Sequence, residues 1–151
     1  MHRSNFLRKL AVMAATAVSM SLFAFTSAAH AGDEGGVANP ATACPNGYTV
    51  KAADIHDFRG FRIGRVDLRW AYSCGGNWAR TTSYVGSVSQ VESRVAMGDW
   101  LSGPGSAFSY DYNTAQNWTY YISIRPDAPA CAKGRLFYQG YWHEATVCSA
   151  K

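Results

Sequence analysis

An all-β fold, a small antiparallel β-sandwich or barrel stapled by two disulfides, is predicted for this chain by three observations. Apolar residues recur with period two in several short runs, Gly, Pro and Asn clusters separate those runs, and four cysteines sit in a chain that carries an export leader.

The leader comes first. Of the 151 residues, 1–31 place basic His2, Arg3, Arg8 and Lys9 ahead of an apolar run from Leu10 to Ala24, closed by Ala29-His30-Ala31, an A-x-A cleavage pattern. Thr16, Ser19, Ser21, Thr26 and Ser27 interrupt the run, which argues for a cleaved signal peptide over a membrane span. Its removal takes three of the 14 basic residues and none of the 10 acidic ones, leaving 11 against 10 and a net charge of +1. A nearly neutral mature chain excludes nucleic acid as the expected partner. A secreted, extracellular protein with no membrane contact after cleavage is expected.

The mature product, Gly32 to Lys151, is long enough for one domain with its own core. "GDEGGVANPATA", residues 32–43, carries no large side chain but Val37, so it reads as a flexible tail preceding a disulfide-bonded β domain over 44–151. Val37 and Asn39 are its candidate partner contacts. Cys44, Cys74, Cys131 and Cys148 allow three connectivities. Cys44 with Cys74 and Cys131 with Cys148 are preferred, because each pair brackets a hairpin-sized unit and closes a short loop.

Strands follow from Tyr48 onward. "YTVKAADIHDF" and "FRIG" flank a tight turn at Arg59-Gly60, and the apolar phase slips at Gly64, which predicts a bulge. In "RVDLRWAYS", Val66, Leu68, Trp70 and Tyr72 share one face; Arg65, Asp67, Arg69 and Ala71 share the other, as a solvated charge ladder. "NWARTTSYV" continues with Trp78, Thr82 and Tyr84 alternating, and "SVSQVESRVAM" is assigned as strand. Gly98 to Asn117, rich in Gly, Ser, Asn and Asp around Pro104, is predicted as a long loop. "WTYYISI" aligns Trp118, Tyr120, Ile122 and Ile124, with Pro126 and Pro129 closing it, and "GRLFYQGYWHEATVCS" reads as a last strand or hairpin kinked at Gly140. Trp70, Trp78 and Trp118 are expected in the core.

Chemistry is sought in four strings. "SCGGNW" resembles the nucleophile signature of papain-like proteases, but the nucleophile's position holds Asn77 and no suitably spaced histidine follows. "DIHD", Asp54 to Asp57, reads as a polar hairpin end around His56. "HEAT", from His143, lacks the second histidine of a zinc-protease motif, and no C-x-x-C supports a metal site. A glycan hydrolase needs two carboxylates brought together from among Asp54, Asp57, Asp111 and Glu144. No catalytic residue, metal ligand or cofactor is therefore assigned, and a non-enzymatic role is expected. All nine tyrosines and five tryptophans fall in the mature chain. Trp100, Phe108, Tyr110 and Tyr112 sit in the predicted loop, where large rings with polar tips suit a contact surface.

At "IGRVDLRWAYSCGGNWARTTSYVG", the chain resembles the YjfA-like family of small exported bacterial proteins, a domain of unknown function. Gly64, Val66, Leu68, Arg69, Trp70, Ser73, Cys74, Trp78, Ala79 and Arg80 carry the resemblance. It implies export and a disulfide-bonded domain, and transfers no catalytic residue. In outline, a leader, a tail and a compact body, the chain is also similar to the adaptor subunits of secreted antibacterial umbrella toxin particles. The expectation is a non-catalytic secreted adaptor that binds another secreted protein. The alternatives are a protease inhibitor presenting the Cys131–Cys148 segment as a rigid loop, and a cell-wall or glycan-binding protein.

Overall fold

The computed structural model describes residues 32–98 and 105–149; the leader and Trp100 lie outside them. The period-two runs form two antiparallel sheets packed face to face. In sheet I, β2 (Tyr48–His56), β3 (Arg62–Ala71) and β4 (Gly76–Ser83) pair in chain order, and β7 (Gln116–Trp118) and the short β8 (Ile122–Ser123) add to the free side of β4. Sheet II starts at the edge with β1 (Gly32–Gly35), then β6 (Ser106–Thr114), β5 (Val88–Met97), β9 (Ala130–Tyr138) and β10 (Tyr141–Cys148).

The core lies between the sheets. Val66, Leu68 and Ala79 from sheet I meet Val95, Ala107 and Ala132 from sheet II, and Ile55 and Ile63 meet Val88, Val91 and Leu136, all buried. Each buried Val or Leu contributes about 1.5–3 kcal/mol. A polar seam crosses this layer: Thr81 Oγ1 donates to the Glu92 carbonyl at 2.9 Å, and Ser93 Oγ lies 2.8 Å from Thr81 Oγ1. Asn117, fully buried, donates through Nδ2 to Ser109 Oγ and Asp111 Oδ2, both at 2.9 Å.

Four predictions are corrected. Residues 32–43 are not a loose tail: β1 pairs with β6, Val37 N donates to the Tyr121 carbonyl at 2.8 Å, and α1 (Pro40–Ala43) buries Pro40. The segment is held by backbone bonds and a cap, not by large side chains. Gly98–Asn117 is not one long loop, because β6 and most of β7 fall inside it. The charge ladder on β3 is not solvated at its centre: Asp67 is 2% exposed, with Arg65 Nε at 2.7 Å and Arg80 Nη2 at 2.8 Å. Tyr72 lies beyond β3 and is exposed instead of entering the core. The slip at Gly64 is present, since Ile55 pairs with Gly64 and His56 with Arg62, leaving Ile63 as the extra residue.

Trp70 and Trp78 are buried, on opposite faces of sheet I, and Trp118 is half-buried. Trp78 packs with Cys44, Ala71, Ala43, Cys74 and Trp118 in a small second core on the outer face of the sheet. A Cβ on Gly47 would lie 2.1 Å from the Trp78 ring, so only glycine lets the chain pass there. The Arg69 guanidinium lies 5.5 Å from the Trp78 ring centroid and donates to the Gly47 carbonyl and Thr49 Oγ1. Burial and the like charge of Arg80 lower the pKa of Arg69, with Asp67 opposing them. The disulfides are Cys44–Cys74 and Cys131–Cys148, as loop length favoured, and leave no free cysteine. Both lie at one end of the sandwich, which suits an oxidising compartment. Among the described residues, no helix is long and apolar enough to cross a membrane.

Candidate functional site

In β6, Ala107 and Ser109 point into the core, so Phe108, Tyr110 and Tyr112 point out. Large rings face away from the interior and small residues face it, the reverse of the usual strand pattern. Pairing sets these rings in rows across sheet II. One row runs Tyr112, Gln90, Phe137, Trp142; the next Tyr110, Glu92, Arg135, Glu144; the third Phe108, Arg94, Lys133, Thr146.

The rings touch along and across the strands. Phe108 and Tyr110 have centroids 5.9 Å apart, Tyr110 and Tyr112 5.6 Å, and Phe137 and Trp142 5.2 Å. Two arginines lie on ring faces, Arg94 4.6 Å from the Phe108 centroid and Arg135 4.2 Å from that of Trp142. Arg135 also reaches Glu92 at 2.8 Å and Glu144 at 3.3 Å, and Lys133 reaches Glu144 at 2.8 Å. These pairs hold long side chains in place before any ligand arrives, which lowers the ordering cost of binding. Tyr112 is the most open of the rings, at 57% exposed. Beside Phe108, an open groove of about 670 Å³ runs toward the N-terminal strand, lined among others by Glu34, Val37, Arg94 and Ser106.

Of the predicted contact residues, Phe108, Tyr110 and Tyr112 thus share one surface, and exposed Val37 borders the adjoining groove. Asn39 is committed inside the chain: its Oδ1 caps α1, accepting from Ala41 N at 2.9 Å, and accepts from Trp118 Nε1 at 3.2 Å. Trp100 lies outside the described residues. Phe137, Trp142, Arg94 and Arg135 were missed. The "FY" and "YW" doublets around Gln139-Gly140 carried the signal for the first two: once those residues are read as a two-residue hairpin turn, alternation sends Phe137 and Trp142 outward together.

The strings considered for chemistry do not converge. Asp54 pairs with Arg62, Asp57 closes the β2–β3 turn, Asp111 lies beside Asn117 between the sheets, and Glu144 pairs with Lys133 on the outer face of sheet II. His143 is buried against Phe58, with ring centroids 4.7 Å apart. Cys74 is disulfide-bonded and has no thiolate to offer. Among the described residues, no group of three or more His, Cys, Asp or Glu side chains is placed to hold a metal ion. The Cys131–Cys148 segment is a regular hairpin with a two-residue turn, not the projecting loop expected of an inhibitor. No family model, characterised protein or solved structure matches the chain.

Proposed function

We propose that this chain is an exported, non-catalytic binding module that engages another extracellular protein through the outer face of sheet II. The observation that carries the reading is the row of rings, Phe108, Tyr110 and Tyr112, turned away from the core and flanked by Phe137, Trp142, Arg94 and Arg135. Tyr, Trp and Arg are the residues in which interface binding energy concentrates, and here they stand on strands instead of a mobile loop. The engagement of Asp54, Asp57 and Glu144 in ion pairs and of Asp111 with Asn117, and the use of every cysteine in a disulfide, support a non-enzymatic role. The sequence-predicted leader and the compact disulfide-bonded body, in outline similar to adaptor subunits of secreted antibacterial toxin particles, make a large secreted toxin protein the first partner to seek.

Affinity capture from the producing organism's culture fluid tests this. The wild-type mature chain is expected to retain a protein that a Tyr110→Ser/Tyr112→Ser variant loses by about tenfold or more. Equal recovery by both forms removes the face from the account.

A further inference from the structure

Opposite the disulfides, the sandwich ends in hairpin tips, and these leave their largest apolar side chains uncovered. Phe58 and Phe61, on the β2–β3 turn, are 75% and 62% exposed, and Tyr141, after the β9–β10 turn, is 60% exposed. Tyr84 and Val85, on the β4–β5 turn, are 46% and 40% exposed. The tips meet at this end: the Phe58 ring stands edge-on to Tyr141 at 5.2 Å, Arg62 lies 5.1 Å from the Tyr84 centroid, and Tyr84 N donates to the Ile63 carbonyl at 2.8 Å. None of these rings belongs to the face of sheet II described above.

The charges here are sorted by depth. Arg59 and Arg62 have side chains 64% and 59% exposed, whereas the Asp57 side chain is 5% exposed. Asp57 is turned inward by the backbone: its Oδ1 accepts from the Arg59 and Phe61 amides, both at 2.9 Å. Asp54, 38% exposed, is the one carboxylate near the surface here among the described residues, and it lies 3.4 Å from Arg62. The end therefore shows aromatic apices and two exposed guanidinium groups outward, with Arg59 bonded to the inward-turned Asp57 at 3.0 Å and Arg62 to Asp54 at 3.4 Å.

We propose that this hairpin end docks on the surface of an anionic lipid bilayer, with Phe58 and Phe61 entering the interfacial layer while Arg59 and Arg62 stay at headgroup level. The rings stand on separate turn apices and do not make a flat, continuous plane. A bilayer interface admits scattered apices without a matching concave partner, and it accommodates aromatic side chains flanked by cations. The neutral composition of the mature chain concealed this, because the sorting of charge is local. The described domain would lie on the membrane surface. Joined to the partner face on sheet II, the end would present a second protein at a cell surface; the lipid contact itself uses different residues and stands or falls separately.

Flotation of the mature chain with phosphatidylglycerol-containing vesicles, and with vesicles of phosphatidylcholine alone, tests the proposal. Wild type is expected to float with the anionic vesicles at low salt, with binding reduced several-fold as salt rises. A Phe58→Ser/Phe61→Ser variant is expected to bind at least about tenfold less, and an Arg59→Gln/Arg62→Gln variant to lose its preference for the anionic vesicles. A Phe61→Trp variant gives an independent readout, a blue-shifted emission on anionic vesicles with quenching by acyl-chain spin labels. The proposal is overturned if wild type floats with neither vesicle, if the double phenylalanine variant floats as wild type does, or if Phe61→Trp shows no shift. Loss of a culture-fluid protein from the phenylalanine variant, without vesicle binding by wild type, would make this end a protein contact instead.

Discussion

The two ends of the sandwich are built on opposite terms. At one end the chain is tied three times over, by Cys44–Cys74, by Cys131–Cys148 and by α1 packed against Trp78. At the other, tight turns close the strands without a covalent tie, held by hydrogen bonds, two ion pairs and ring contacts, and five large apolar side chains are left in the open. Covalent ties and buried rings at the first end stabilise the fold. At the second the rings are mostly uncovered, although Phe58 packs on buried His143, and on the outer face of sheet II Tyr112 is exposed while Phe108, Tyr110, Phe137 and Trp142 are half-buried. The difference between the ends is in covalent closure: exposed rings occur at both, with Tyr72 76% and Tyr48 46% exposed beside the disulfides, so mutation separates the ties from the rings but not one end from the other.

Trp78→Ala breaks the tied end hardest, with an expected loss of about 3–5 kcal/mol, because the buried indole packs against Cys44, Ala71 and Ala43 and its removal leaves a cavity there. Thermal unfolding reads this directly, and a loss below about 1 kcal/mol would mean that α1 and the disulfide hold that end without the ring. The Cys44→Ser/Cys74→Ser variant opens a loop with a sequence separation of 30. Its expected cost is about 3–4 kcal/mol, or roughly 10–20 °C in Tm. An unchanged Tm would contradict the assignment of stability to that end.

At the open end the expected effect is smaller and depends on pH. Burial pushes the Asp57 carboxyl upward, but the Phe61 amide, the Arg59 guanidinium and the Arg59 amide outweigh it and hold the group below its ordinary value. A carboxyl depressed in the folded state adds stability above its unfolded pKa, about 3.9. That contribution is lost as pH falls through the lower folded value. The 57–61 turn is therefore expected to loosen under acid conditions while the disulfide-tied end holds. Amide exchange at Phe61 and Trp78 distinguishes the two, and simultaneous loss of protection at both would erase the difference between the ends.

The fold class and the disulfide pairing were legible in the sequence because β3 alternates over Val66, Leu68 and Trp70 and each cysteine pair brackets a short unit. β6 was not legible, for a physical reason. Its inward residues, Ala107 and Ser109, are small, its outward residues, Phe108, Tyr110 and Tyr112, are large, and the Gly-Pro-Gly run before it reads as loop. Hydrophobic alternation locates a core only when the core side carries the bulk. The ordered N-terminal segment escaped notice because Asn39 and the β1 backbone secure it, and neither leaves an apolar pattern. Asp67 looked solvated because sequence alternation cannot show two arginines from neighbouring positions closing over one carboxylate. The aromatic residues themselves were recognisable as contact candidates from composition; their alignment into rows needed the pairing of β5 with β6 and β9.

Capture of a secreted protein by the outer face of sheet II is the proposal on which the functional reading depends. Parallel capture from culture fluid by wild type, by Tyr110→Ser/Tyr112→Ser and by Phe58→Ser/Phe61→Ser, each with its Tm measured, tests it most directly. The account predicts the same captured protein for wild type and the phenylalanine variant, its loss from the tyrosine variant, and Tm values within a few degrees for all three. Retention of that protein by the tyrosine variant at unchanged Tm would contradict it.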